Sequence, residues 1–200
     1  SLRPYWYKNL EDIRRVARSK NIPFWAFALA LSHQLDDVLY PIPTVAELRL
    51  QMFSNLVYGA QGFQWFTWWG VYQSGPTQVY DRVKTVNTEL QALSPYFLGA
   101  DVTDVWHTGR EIPYGTKALS SMPEGISSLS TPDGGAVVSR VVKDGNTYIA
   151  IVNRDYRARM TLDISFSSRA MRIDKQGNMA EAVSGSIVVE PGDIVLYRIL

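Results

Sequence analysis

The pattern of the chain changes across residues 109–135, and that change constrains the fold more than any other feature. Gly109, Pro113, Gly115, Pro123, Gly125, Ser127, Ser128, Ser130 and the run Pro132-Asp133-Gly134-Gly135 cluster there. Such residues punctuate regular structure, so the segment reads as a linker. Before it, helical and strand patterns alternate; after it, only strand patterns occur. The expected organisation is therefore an α/β unit over residues 1–108, a linker over 109–135 and an all-β unit over 136–200.

In the first unit, Leu10, Ile13, Val16 and Ala17 recur at helical spacing among charged residues, and the spacing predicts an amphipathic helix over 9–20 that Asn21 can stop. Pro23 to Leu31 is an uninterrupted apolar run, the pattern of a parallel strand covered on both faces. Thr44 and Glu47 form a capping box behind Pro43, with Leu48, Met52, Phe53 and Leu56 as the buried stripe of a second helix and Gly59 as its C-terminal cap. Gly62-Phe63-Gln64-Trp65-Phe66-Thr67-Trp68-Trp69 holds three of the six tryptophans and reads as a second strand. A third helix is expected over Thr77–Leu93.

In the last unit, Ala136–Val142 and Thr147–Asn153 flank an Asp144-Gly145 turn, a hairpin signal. Met160–Phe166, Ala170–Ile173, Ser186–Val189 and Ile194–Ile199 follow, as expected of a small antiparallel β-sandwich or barrel.

Composition excludes several function classes. The 20 basic against 19 acidic residues give a net charge of +1, which supplies no field for a phosphate backbone, so nucleic acid is not an expected partner. No run of 18 apolar residues occurs, so no membrane span is expected. With no cysteine there is neither a disulfide framework nor a thiolate metal site, and the compartment is not legible from redox chemistry. His33 and His107 lack companion ligands, so no metal is expected, and without a glycine-rich phosphate loop no nucleotide cofactor is expected either. The chain opens Ser-Leu-Arg-Pro without an initiator Met, which reads as a trimmed or partial chain.

The segments Ile22–Phe27, Tyr40–Gln51 and Tyr58–Trp69 together resemble the last two βα units of a (β/α)8 (TIM) barrel glycoside hydrolase of the β-galactosidase-like superfamily. Thr147–Asn153 and Val189–Tyr197 are similar to the β-sandwich that follows such barrels. The resemblance implies a glycosidase whose remaining strands come from a missing N-terminal barrel segment or a partner chain, because two strands cannot close a barrel. It also implies a carboxylate at the end of the first strand. This sequence instead has Ser32-His33-Gln34-Leu35-Asp36-Asp37 there, with no Glu.

Asp36 and Asp37 are thus the candidate catalytic residues, each also readable as a solvated loop acid. Trp68 and Trp69 are candidate sugar platforms, since an indole face matches the apolar face of a pyranose. His33 and Gln34 are candidate hydrogen-bonding partners of a carbohydrate, and Tyr72 and Gln73 add weaker signals. Glu47 is accounted for by the capping box. A non-catalytic carbohydrate-binding protein is the alternative function, and the β unit can also be a structural buttress.

Overall fold

The computed structural model describes residues 4–200. The N-terminal helix α1 (Trp6–Lys20) ends where Asn21 turns left-handed at φ 51°. It is followed by β1 (Trp25–Leu29), the hairpin β2 (His33–Leu35) and β3 (Val38–Tyr40), α2 (Val45–Val57) and β4 (Gly62–Phe66). Next come a single helical turn α3 (Trp68–Val71), the short pair β5 (Tyr72–Gln73) and β6 (Gly75–Pro76), and α4 (Tyr80–Phe97). The rest is β: β7 (Asp101–His107), β8 (Ile126–Ser130), β9 (Ala136–Lys143), β10 (Asn146–Asn153), β11 (Met160–Phe166), β12 (Ala170–Ile173), β13 (Met179–Glu181), β14 (Gly185–Val189) and β15 (Ile194–Ile199).

This overturns the expected fold class of two terminal βα units of a barrel plus a small sandwich. Four helices stand against fifteen strands among the described residues, and the molecule is dominated by antiparallel sheets. Among the described residues, parallel pairing between strands is confined to β1 and β4, five residues each, in register from Trp25↔Gly62 to Leu29↔Phe66, apart from a single parallel bridge between His107 and Ala118. The principal sheet has six strands in the order β13-β12-β15-β10-β9-β7, and a three-stranded sheet, β14-β11-β8, packs on it. Two of these strands depart from the sequence expectation. Asp101–His107 lies in the span assigned to the α/β unit yet pairs with β9, and Ile126–Ser130 lies in the expected linker yet pairs with β11. Pairing across the fold recruited both, which the local turn residues around them could not reveal.

Three packed regions hold the layers together. Ala136, Val138, Ile149, Ile151, Leu162 and Val195 fill the space between the two antiparallel sheets. The opposite face of the six-stranded sheet, through Val137, Val141, Ala150, Val152 and Leu196, packs on Tyr7, Leu10, Leu50, Phe53, Leu56 and Phe97 of the helices. The far side of α2 and α4 in turn packs Leu48, Met52, Val83 and Val86 against Ala28 of β1. Helix α2 therefore lies between two sheets and is buried nearly all round instead of along one stripe.

Its ends are closed locally. Thr44 Oγ1 accepts from the Glu47 amide (3.3 Å) while the Glu47 carboxylate accepts from the Thr44 amide (2.8 Å). At the other end Gly59, at φ 100°, donates to Leu56 O (2.9 Å) and Ala60 to Asn55 O (3.0 Å), the paired bonds of a Schellman cap. Ser139 of β9 adds a hydroxyl donor to the terminal carbonyl of Val57 (2.7 Å).

Two polar clusters cross the joint between helices and sheet. Arg49 grips Glu89 bidentately (2.9 and 2.5 Å), and Lys175 from the β region reaches Asp193 (2.6 Å) and lies 3.9 Å from Glu89. The second cluster runs Glu11–Tyr58–His107. Tyr58 donates to Glu11 Oε1 (3.1 Å), so the Tyr58 oxygen accepts from His107 Nε2 (2.8 Å). His107 is 0% exposed and its Nδ1 has no hydrogen-bond partner among the described residues.

Candidate functional site

Because β1 and β4 run parallel, their C-terminal ends open on the same side, and the loops that follow them carry all the residues singled out as site candidates. Side chains alternate across the pair. Ala28, Phe63 and Trp65 face the helices, whereas Trp25, Phe27, Gln64 and Phe66 face outward. Trp25 and Phe27 are 66% and 68% exposed, so the apolar run from Pro23 to Leu31 is covered on one face only. This corrects the expectation of cover on both faces: a continuous apolar run signals a buried strand but does not supply the layer that buries it.

The second strand stops at Phe66, earlier than its aromatic run suggests. The Phe66–Thr67 peptide is cis, and Trp68 and Trp69 belong to the turn α3. The turn lies against the end of the neighbouring strand at Gly70, where a Cβ would meet Ala30 O at 2.9 Å, so a side chain there would push the turn away. Thr77 fixes its far side, donating to Gly70 O at 2.6 Å. Held in this way, Trp68 stacks on Tyr72, with centroids 5.5 Å apart and planes 20° from parallel. Trp68 and Trp69 remain 63% and 71% exposed.

The loop after β1 folds differently from an active-site loop rich in acids. His33 pairs with Tyr40 across the β2–β3 hairpin and sets its ring edge-on to Phe66 at 5.6 Å. Gln34 is bound back to its own turn through Asp36 O (3.3 Å). Asp36 and Asp37 form the hairpin tip, Asp36 left-handed at φ 52°, and both are exposed. Their residue types suit a tight turn for a local reason, since short polar side chains tolerate that backbone. Sequence alone could not separate this role from a catalytic one.

Of the candidates, the structure joins His33 to Phe66 and Trp68 to Tyr72, and ties Gln73 to Trp69 O (3.0 Å). It leaves Asp36, Asp37 and Gln34 on the hairpin. A groove of about 370 Å³ beside the platform involves residues not foreseen: Phe27, Gln64, Trp65, Trp68, Val71, Val83 and Asn87. The signal for part of it was present, because Phe27 and Gln64 share the outward phase of their strands and pair directly. Asn87, on α4, reaches the groove by tertiary packing and accepts from Trp65 Nε1 at 3.0 Å.

A larger cavity of about 710 Å³ lies away from these strand ends, among Arg110, Glu111, Asp133, Arg154, Asp155 and Arg157. Its acids are partly engaged: Asp133 holds the Thr161 amide and hydroxyl (2.7 and 2.6 Å), and Asp155 the amides of Arg157 and Ala158 (2.7 and 3.2 Å). With cations and acids balanced, it has no evident charge preference. No group of three or more His, Cys, Asp or Glu positioned to hold a metal occurs among the described residues, and no helix there is long and apolar enough to cross a membrane. No protein-family model matches the chain, and no curated protein matches it.

Proposed function

We propose that the chain is the carbohydrate-binding, C-terminal portion of a glycoside hydrolase, and that polypeptide packed on its open β1–β4 face supplies catalytic carboxylates. The observation carrying this reading is the exposed Trp68–Tyr72 stack beside a groove at the C-terminal ends of two parallel strands. Flat aromatic faces held by a folded turn match the C–H face of a pyranose and lose little conformational freedom on binding. Trp25 and Phe66, outward-facing and outside the groove lining, form an apolar surface suited to a covering layer.

Glycosidic hydrolysis uses two carboxyl groups on opposite sides of the bond, about 5–5.5 Å apart for retention or about 6.5–9.5 Å for inversion. Asp36 and Asp37 are neighbours at one hairpin tip, so either of them acting in catalysis takes its partner carboxylate from elsewhere. That same observation favours a second reading, a non-catalytic carbohydrate-binding protein that uses the platform alone.

Both readings require sugar at the tryptophans. Trp68→Ala and Trp69→Ala are expected to weaken glycan binding, each by about 0.5–1.5 kcal/mol beyond the area lost, with the melting temperature unchanged. Isothermal titration against a panel of oligosaccharides measures this. Wild-type affinity in both variants would remove the platform, and unfolding of both would return the tryptophans to a packing role.

A further inference from the structure

We propose that the groove beside Trp68 is a subsite for one uncharged sugar ring, with Gln64 and Asn87 reading its hydroxyls. This rests on the carbohydrate reading above and deepens it by naming the substrate class. The lining is aromatic and aliphatic apart from two primary amides, and it contains no ionisable side chain.

The two amides are set up differently. Gln64 is exposed and its side-chain amide makes no hydrogen bond to the described residues, so both its donor and acceptor ends are available. Asn87 is half-buried, and the bond from Trp65 Nε1 to its Oδ1 fixes which way the amide points, leaving its NH₂ group as a donor. Gln64 lies beside Phe27 on the outward strand face and Asn87 comes from α4, so the amides and the Phe27 and Trp68 rings line one groove. Together they form the mixed surface that a pyranose presents in complement, with C–H bonds on its faces and hydroxyls around its edge. The volume, about 370 Å³, sits near the bottom of the roughly 300–1,000 Å³ usual for small-molecule sites, which favours a single ring over a polymer segment.

Charge decides the class. A uronic acid entering this groove would shed water from its carboxylate with no cation among the lining residues to replace it. A neutral ring gives up only hydroxyl hydration, which the amides restore.

The test is saturation-transfer NMR followed by titration of the full chain. The probes are methyl glycosides of glucose, galactose, mannose and xylose, against those of glucuronic and galacturonic acid. At least one neutral glycoside is expected to bind about tenfold tighter than either uronide. Gln64→Leu, at an exposed position, should keep the fold and weaken the neutral ligand about fivefold, while Gln64→Lys should raise uronide affinity by a similar factor. A uronide that binds wild type as tightly as the neutral sugars overturns the proposal. So does neutral binding that Trp68→Ala reduces and Gln64→Leu leaves untouched, an outcome under which the platform itself survives. Failure of every probe to bind wild type removes both readings.

Discussion

Among single residues, His107 has the surroundings with the clearest consequence in solution. Burial, and secondarily the positive charge of Arg154, lower its pKa from 6.5 to about 3. The groups facing it are Tyr58, which accepts from Nε2, the ring of Tyr7 edge-on at 4.8 Å, Glu11 beyond Tyr58, and Arg154. The native state keeps the imidazole neutral, whereas the unfolded chain takes up a proton below pH 6.5. The stabilisation is therefore complete above pH 6.5 and is lost as pH falls toward 3, on the order of a few kcal/mol over that window. Glu11 acts with the opposite sign, because burial raises its pKa and favours its neutral form as acid is added. Urea unfolding at pH 7, 5.5 and 4 should show a steeper loss of stability for wild type than for His107→Gln, whose side chain does not titrate. Parallel pH profiles would show that other groups dominate the acid response.

At the scale of elements, α2 separates what a local signal contributes from what a tertiary contact contributes. Thr44→Ala removes the capping box at a solvent-exposed helix end and should cost about 1 kcal/mol. Glu89→Ala leaves the Arg49 guanidinium, only 20% exposed, without its bidentate partner and leaves Lys175 with Asp193 alone. Removing one member of such a buried pair costs roughly 3–5 kcal/mol in known cases, so the loss should clearly exceed that of the cap. Chemical denaturation of the two variants ranks them. Equal losses would mean that the ion cluster does not clasp α2 and α4 to the β region. The same comparison explains why the cap was legible and the cluster was not. Thr44 and Glu47 are three residues apart, whereas Arg49 and Glu89 are brought together only when two helices pack.

For the whole molecule, the exposed outer face of β1 and β4 and the turn beside it govern behaviour. Trp25, Phe27, Trp68 and Trp69 are each about two-thirds exposed, and at roughly 150–250 Å² per aromatic side chain they expose on the order of 500 Å². That reaches the size at which a surface patch marks an interaction site or an aggregation hazard. The isolated chain should therefore associate as its concentration rises, measured by sedimentation velocity. The double variant Trp25→Ser, Phe27→Ser, altered only at exposed positions, should remain monomeric over the same range. A wild-type chain that stays monodisperse at high concentration would show that this face needs no cover.

The sequence by itself determined the features that short-range chemistry specifies. Asn21 stopping α1, the Thr44–Glu47 box and Gly59 bounding α2, the Asp144-Gly145 hairpin and the turn-bounded short strands from Ala136 onward each depend on residues close in the chain. It also marked Trp68 and Trp69 as exceptional, through their place at the end of an aromatic run. Tertiary structure alone decided that Asp101–His107 and Ile126–Ser130 join the antiparallel sheets, that α2 is buried nearly all round, and that Trp25 and Phe27 face outward. It alone brought Asn87 to the groove and placed Asp36 and Asp37 at a hairpin tip. The reason is physical: a cap or turn is satisfied by bonds within a few residues, whereas burial, sheet partnership and the meeting of distant polar groups depend on which surfaces the rest of the fold leaves to be covered.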